Sequence, residues 1–220
     1  MRIYYDKDCN LGVLKGKKVA ISRLGGASDF SLRYALDRWG LVPEKDVAII
    51  QIGGEAEGVL ALQNKAVDAA TISEPFTTIA QREGFSVVAD LSRLNVPYTL
   101  HGIGTRKSIV RDRRDIVVRF MRAYVEAIHV FKTKKELALS TLKKYARMSD
   151  ISLMNATYDD YSQRLVPAVP YPIAPGIQTI IDHLAKTRPE AKGLRPQDFI
   201  DGSILKEIED SGFIKKLYGN

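Results

Sequence analysis

Cysteine occurs once in this chain, as Cys9, so an internal disulfide is excluded. Histidine is almost as scarce. His101, His129 and His183 are too dispersed to build a zinc cluster, and no metal or cofactor is expected. No apolar run approaches the ~18 residues that a membrane span needs. The opening MRIYYDKDCNLGVLKGKK lacks the apolar centre of a signal peptide, so the chain as written carries no export signal. The local signatures of catalysis and nucleotide binding are missing too: there is no GxSxG, HExxH, GxGxxG or GK[ST]. No histidine has a nucleophile close in sequence, and no catalytic residue is expected. Internal repeats and low-complexity tracts are absent.

What is present reads as globular. Apolar residues make up 45% of the 220 positions and charged ones 27%, the balance of one large domain or two small lobes. The net charge of +7, from 33 basic and 26 acidic residues, suits either nucleic acid or small anions. The basic residues are spread through RKSIVRDRRD, KTKKE and LKKYAR, mixed with acids, as on solvated helix faces. No nucleic-acid motif accompanies them, so no nucleic-acid partner is expected.

Through residue 105 strand and helix signals alternate. KKVAIS (17–22), DVAIIQI (46–52), AVDAATI (66–72) and FSVVADL (85–91) are short apolar runs of strand length. Helices are predicted from Ser28 to Trp39, stopped by a left-handed Gly40, then through EAEGVLALQNK, and from SEPFTTIAQREG with Ser73 as cap and Pro75 in the first turn. This alternation specifies a parallel or mixed sheet covered by helices. YTLHGIGTRKSI (98–109) is expected to add one more strand. Beyond it the pattern turns helical. Ile116, Val117, Phe120, Tyr124, Ile128 and Phe131 recur three or four apart, followed by helices near 134–146, 150–165, 174–187 and 203–210. VPAVPYPIAPG (166–176) is a rigid connector.

Three loops share one design in which a strand ends, small residues follow and a helix begins: LGGASD (24–29), IGGEAE (52–57) and ISEP (72–75). In an open sheet, ligands sit beyond the carboxyl ends of the strands, where helix starts present unpaired N–H groups and about half a positive charge. Gly25, Gly26, Ala27 and Ser28, then Gly53 and Gly54, then Ser73, Glu74 and Pro75 are the candidate ligand contacts. Small residues before helices are equally ordinary caps. Asp29 and Glu74 would oppose an anion if turned inward, and are expected to cap their own helices. Arg23, at a strand end, suits a carboxylate, sulfonate or nitrate, or equally a surface ion pair. Tyr98 and His101 could line the return side of a cleft. His129 reads as a packing residue and His183 as a helix-surface one.

The runs LKGKKVAISRLGGASDFSLRYAL…LVPEKDVAIIQIGG, LQNKAVDAATISEPFTTIAQREGFSVVADL, FMRAYVEAIHVFKTKKELAL and AKGLRPQDFID…SGFI together resemble the solute-binding proteins of ABC importers of the NitT/TauT type, the group that includes nitrate, sulfonate, taurine and thiamine-precursor binders. The resemblance runs from Leu14 to Ile214. It implies an α/β, type II periplasmic-binding-protein-like fold whose two lobes close about a hinge, here the crossovers at 10–16 and 92–100. Its ligand loops match those singled out above. The implied function is a non-enzymatic binder that delivers a small polar or anionic solute to the membrane subunits of an ABC importer.

Members of that family begin with a signal peptide and a long segment forming much of the first lobe, and this chain opens after it. The expected organisation is therefore one complete α/β lobe at 14–92, with residues 1–13 and 93–220 forming a helix-rich partial lobe. Apolar faces left bare there invite homodimerisation or aggregation. The resemblance implies a periplasmic or cell-surface location, and a cytoplasmic one if the start is genuine. Alternatives on the same architecture are an enzyme of the thiamine-pyrimidine or menaquinone pathways and the effector domain of a LysR-type regulator. The pyrimidine synthases need a cysteine-rich motif that Cys9 alone cannot supply, and a regulator needs a helix-turn-helix ahead of residue 1. A truncated relic that binds nothing is a fourth reading.

Overall fold

A computed structural model of the chain describes residues 1–5, 11–90 and 96–219, grouped as two units, Met1–Val96 and Pro97–Asn220. The first unit is built on a five-stranded sheet. Its strands are β1 (Arg2–Tyr5), β2 (Lys18–Ile21), β3 (Ala48–Gln51), β4 (Ala69–Ile72) and β5 (Ser86–Asp90), in the spatial order β3-β2-β4-β1-β5. β2 lies parallel to both β3 and β4, whereas β1 runs antiparallel between β4 and β5. The sheet is thus mixed.

Alternation along the strands explains the layers. Ile3, Val19, Ile21 and Ala69 face one side, where Leu32, Ala35 and Leu36 of α1 (Ala27–Arg38) close over them. Tyr4, Ala20, Ala70 and Ile72 face the other, packed by Val59 and Leu62 of α2 (Glu55–Gln63) and Ala80 of α3 (Phe76–Arg82). A strand buried on both faces reads as a continuous apolar run, which is why AATI of β4 contains no outward polar position. Gly58 belongs to this packing. A Cβ there would meet Ile52 Cδ1 at 3.2 Å and Ile72 Cγ2 at 3.4 Å, so the missing side chain lets α2 settle onto β4. Gly40 ends α1 with φ +68°, as the sequence predicts.

Two expectations change here. Residues 2–5, grouped by the sequence reading with the C-terminal half, sit inside this sheet. Ile3 and Tyr4 are fully buried on opposite faces, which only a sheet covered on both sides provides. Ser73 is not the cap of α3: Pro75 holds that position, while Ser73 contributes its carbonyl to the N–H groups of Phe76 and Thr77. Of the two crossovers expected to act as hinges, residues 10 and 92–95 lie outside the described residues, as does Cys9, and Leu11–Leu14 form a short 3₁₀ turn.

The second unit is helical among its described residues: α4 (Lys107–Asp112), α5 (Arg114–Thr133), α6 (Lys135–Tyr145), α7 (Ile151–Asp160), α8 (Ala174–Leu184), α9 (Ser203–Asp210) and α10 (Phe213–Tyr218). α5 packs through Val117, Val118, Met121 and Val125 against Ile204, Leu205 and Ile208 of α9 and Ile214 of α10. α7 passes into a π-helical turn, Tyr161–Leu165. The Lys132 ammonium donates to the carbonyls of Ser162 and, at 2.8 Å, Val166, supplying partners to chain-end carbonyls that the widened turn leaves open. The strand expected at 98–109 does not form. Residues 97–106 run without regular structure and residues 107–112 are helical, because Gly102 and Gly104 disfavour a strand and no other described segment of this unit is a strand for it to pair with.

Candidate functional site

The parallel run β3-β2-β4 sends its three following loops out from one edge of the sheet, side by side. The antiparallel β1 brings Arg2 to the same edge, opposite Ile72, and β5 brings Asp90 there. The loops are laced together. The Leu24 N–H donates to Gln51 Oε1 at 2.9 Å, joining the loops after β2 and β3. Glu55 Oε2 accepts from the Ser73 N–H at 2.8 Å and its hydroxyl at 2.7 Å, joining the loops after β3 and β4.

Within the first loop, Asp29 folds back from α1 to accept the Gly25 N–H at 2.8 Å and Arg33 Nε at 2.7 Å. Arg33 reaches on to Glu44 at 2.6 Å. Burial works against the Arg33 charge, but Glu44 and Asp29 outweigh it and hold the guanidinium above its ordinary range. The Ser28 hydroxyl accepts the Ser22 N–H at 3.0 Å and bonds the Ser22 hydroxyl at 2.8 Å, closing the first bonds left open where β2 ends. Gly25 takes φ +72° and Gly53 φ +100°, positions that a side chain would strain, so both turns depend on glycine.

In the third loop Glu74 accepts from the Thr78 N–H and hydroxyl, at 3.3 and 2.9 Å, and pairs with Arg2 at 3.3 Å; Arg2 also meets Asp90 at 3.2 Å. Glu74 thus satisfies an N–H of its own helix start, as expected, whereas Asp29 bonds Gly25, ahead of the α1 cap, and Arg33, and caps none of the α1 N–H groups. Beneath them the Tyr4 hydroxyl is buried, with no hydrogen-bond partner among the described residues, and burial pushes its phenol up from the usual value.

The side chains of Ser28, Ser73 and Glu74 are therefore committed to the scaffold rather than turned outward. Ser28 is about 1% exposed and its hydroxyl is bonded to Ser22, so what it can offer a ligand is its backbone N–H. What the edge offers is backbone. Neither α1, starting after Gly26, nor α2, starting after Gly54, is capped by a side chain, so first-turn N–H groups remain open. At α2 the Glu57 carboxylate folds back over Gly54, in the space a Cβ would need. At α1 the acid of the first turn, Asp29, is 6% exposed and already bonded, while Arg23 is exposed and has no ion pair among the described residues. Gly25, Gly26, Ala27 and Arg23 thus form the more electropositive of the two openings. Tyr98 and His101 belong to the second unit, in its irregular stretch. His101 is exposed there, and burial raises the Tyr98 phenol above its ordinary value.

Sequence reasoning missed the residues that tie the loops, Gln51, Glu55 and Arg2. Glu55 was legible only as a first-turn acid, and nothing local to IGGEAE points across to Ser73. Among the described residues no group of His, Cys, Asp and Glu could hold a metal ion, and no helix is long and apolar enough to cross a membrane.

Comparison with known proteins places this architecture. The aliphatic sulphonate binding protein SsuA of Escherichia coli superposes with a TM-score of 0.69 at 20% identity, over 93% of this chain and 70% of that one. SsuA of Xanthomonas axonopodis pv. citri, an alkanesulfonate-binding protein solved with MOPS bound, gives 0.67 at 18% identity, over 85% of this chain and 64% of that one. A protein of Brachyspira hyodysenteriae named as an ABC transporter periplasmic binding protein is 25% identical over 152 residues, 69% of this chain. The chain spans less than half the length of that relative, 43%. The fold is that of the type II periplasmic binding proteins. A model of the NMT1-like family matches residues 6–143, more than half of the sequence, and the chain belongs to the NMT1-like family.

Proposed function

We propose that this chain is a solute-binding component of an ABC importer, holding a small anion, with a sulfonate as the leading class, at the opening of α1. The observation that carries this reading is the uncapped α1 start at Gly25-Gly26-Ala27 beside an exposed Arg23, a helix start whose single first-turn acid, Asp29, is already bonded. Glu57 covers the corresponding opening of α2 and disfavours a second anion there. The sulfonate class is taken from the SsuA structures that share the fold. The remaining expected contacts of this unit, Gly53, Gly54 and Pro75, stand as further contacts of the same reading. The importer's membrane subunits are its implied partner, and a periplasmic or cell-surface location follows with them.

Unfolding temperature against a panel of alkanesulfonates, taurine, nitrate and carboxylates tests it. A ligand at a hundred times its Kd adds about 2.7 kcal/mol, which raises Tm by about 5–11 °C in a chain of this size. Arg23→Ala should abolish the shift without lowering the Tm of the unliganded chain. An undiminished shift in that variant removes the assignment to α1, and a flat response across the panel removes the anion class.

A further inference from the structure

Strand β1 and helix α3 meet along a polar seam inside the first unit. On β1, Arg2 and Tyr4 are two residues apart and so point to the same face of the sheet. On α3, Thr77 and Ala80 are three apart, share a face and are both buried. Ala80 packs in the same core as Tyr4, so Thr77 is turned towards β1 as well. The outer end of the seam is closed by ion pairs, Arg2 meeting Glu74 at 3.3 Å and Asp90 at 3.2 Å. The inner end holds two hydroxyls. Tyr4 is 0% and Thr77 2% exposed, and neither oxygen has a hydrogen-bond partner among the described residues, the other hydroxyl included.

A buried hydroxyl left unbonded forfeits its hydration with no return, which is why buried polar groups in folded proteins are almost always bonded. Burial raises the Tyr4 phenol, and Arg2 and Thr77 draw it back down, so both groups lie close to its oxygen. The three polar groups thus converge on one place.

We propose that this seam is a binding site for one internal water molecule, held by the Tyr4 hydroxyl, the Thr77 hydroxyl and an N–H of the Arg2 guanidinium. The charges select that class of occupant. The guanidinium repels a cation, and the Glu74 and Asp90 carboxylates, which outnumber it, repel an anion. A small neutral molecule that both donates and accepts satisfies all three groups, and a buried water typically has about three polar partners. Arg2 has a donor to spare. Among the described residues its Nε bonds Asp90 and its Nη1 bonds Glu74, which leaves Nη2 free to donate. The water accepts from Nη2 and from the Tyr4 hydroxyl, and donates to Thr77 Oγ1. In that position it joins β1 to α3 just behind Glu74 and braces the third loop of the edge from the core side. This inference does not depend on solute binding.

Magnetic relaxation dispersion of water deuterons and oxygen-17, measured on the full chain, counts long-lived internal waters and tests it. The double variant Tyr4→Phe with Thr77→Val keeps both shapes, and should hold one water fewer than the parent at unchanged far-UV circular dichroism. Equal counts overturn the proposal. Urea unfolding adds a cycle. Each single variant leaves the water short of a partner, whereas the double lets it depart, so the double should be no less stable than the weaker single. Losses that simply add overturn the shared site. A crystal structure of the parent needs no variant: a water within hydrogen-bond distance of both oxygens is expected, and hydroxyls bonded to each other would refute it. A Tm that depends on chloride in the parent but not in the double variant, at constant ionic strength, makes the occupant an anion and equally overturns it.

Discussion

Replacing Asp29 by alanine tests the account of the first loop most directly. The carboxylate side chain is only 8% exposed and accepts the Gly25 N–H at 2.8 Å and Arg33 Nε at 2.7 Å. A hydrogen bond to a buried charge contributes about 1.5–3 kcal/mol, and the Gly25 N–H would lose its partner. Arg33 would keep Glu44, so the ion pair itself adds less than about 1 kcal/mol. The sum is a loss of about 1.5–4 kcal/mol, or a Tm lower by about 3–16 °C. Asp29→Asn retains an acceptor for Gly25 while dropping the charge, and about half that loss is expected. Urea unfolding measures the free energies, and amide exchange reports Gly25 directly. Asp29→Ala should speed exchange there far more than at β4. Stability within about 0.5 kcal/mol of the parent would refute the claim that this carboxylate holds the loop.

Lys132→Met removes the donor to the Ser162 and Val166 carbonyls and should cost about 1–3 kcal/mol in urea unfolding, with Lys132→Arg milder. Gly58→Val should overpack the α2–β4 contact by about 1–3 kcal/mol, and a neutral result would show that Ile52 and Ile72 yield freely. Tyr171 donates to Glu209 at 2.7 Å, and this bond pushes its phenol up to about 12. The folded value lies above the unfolded one near 10, so the stabilisation is complete below pH 10 and disappears as the pH rises towards 12. Ultraviolet titration of Tyr171→Phe should lose one late-titrating phenol relative to the parent; an unchanged late portion of the curve refutes the assignment. In the second unit, Gly176→Ala places a Cβ 2.6 Å from Thr99 Oγ1 and should displace the 97–101 stretch, visible as altered proteolytic cleavage there.

The strands and helices that announce themselves by period and punctuation were legible from sequence. β2 follows GKK, α1 ends at Gly40, and the stripe Val117, Phe120, Tyr124, Ile128 marks α5. The elements that depend on distant partners were not. RIYY is four residues long and becomes a strand only because β4 and β5 flank it, whereas YTLHGIG has strand-like composition and no partner in its own unit. Tertiary context decides both, since strand propensity mostly measures packing against neighbours. FIKKLY of α10 is too short for a periodic signal, and its boundaries are visible only as the left-handed Gly212 and Gly219. The site divides in the same way. Its glycines, which act through their own backbone, could be picked from LGGASD and IGGE. The outward or inward turn of Ser28, Ser73 and Glu74 depends on Ser22, Glu55 and Arg2, and no local spacing encodes it.

The position of β1 has a consequence for the order of assembly. It is the hydrogen-bonded bridge between β4 and β5, so β5 cannot join the sheet before β1 has found β4. During synthesis, however, Arg2–Tyr5 leaves the ribosome seconds before either neighbour exists, at about 5–20 residues per second. A nascent chain halted before residue 69 would present β1 with both edges unpaired, a segment for chaperones to hold. The β2–β3 pair could already form at that stage. β1, made ahead of both its neighbours, is thus among the last strands of this sheet to be placed, and folding of this unit is expected to be limited by that long-range closure rather than by its helices.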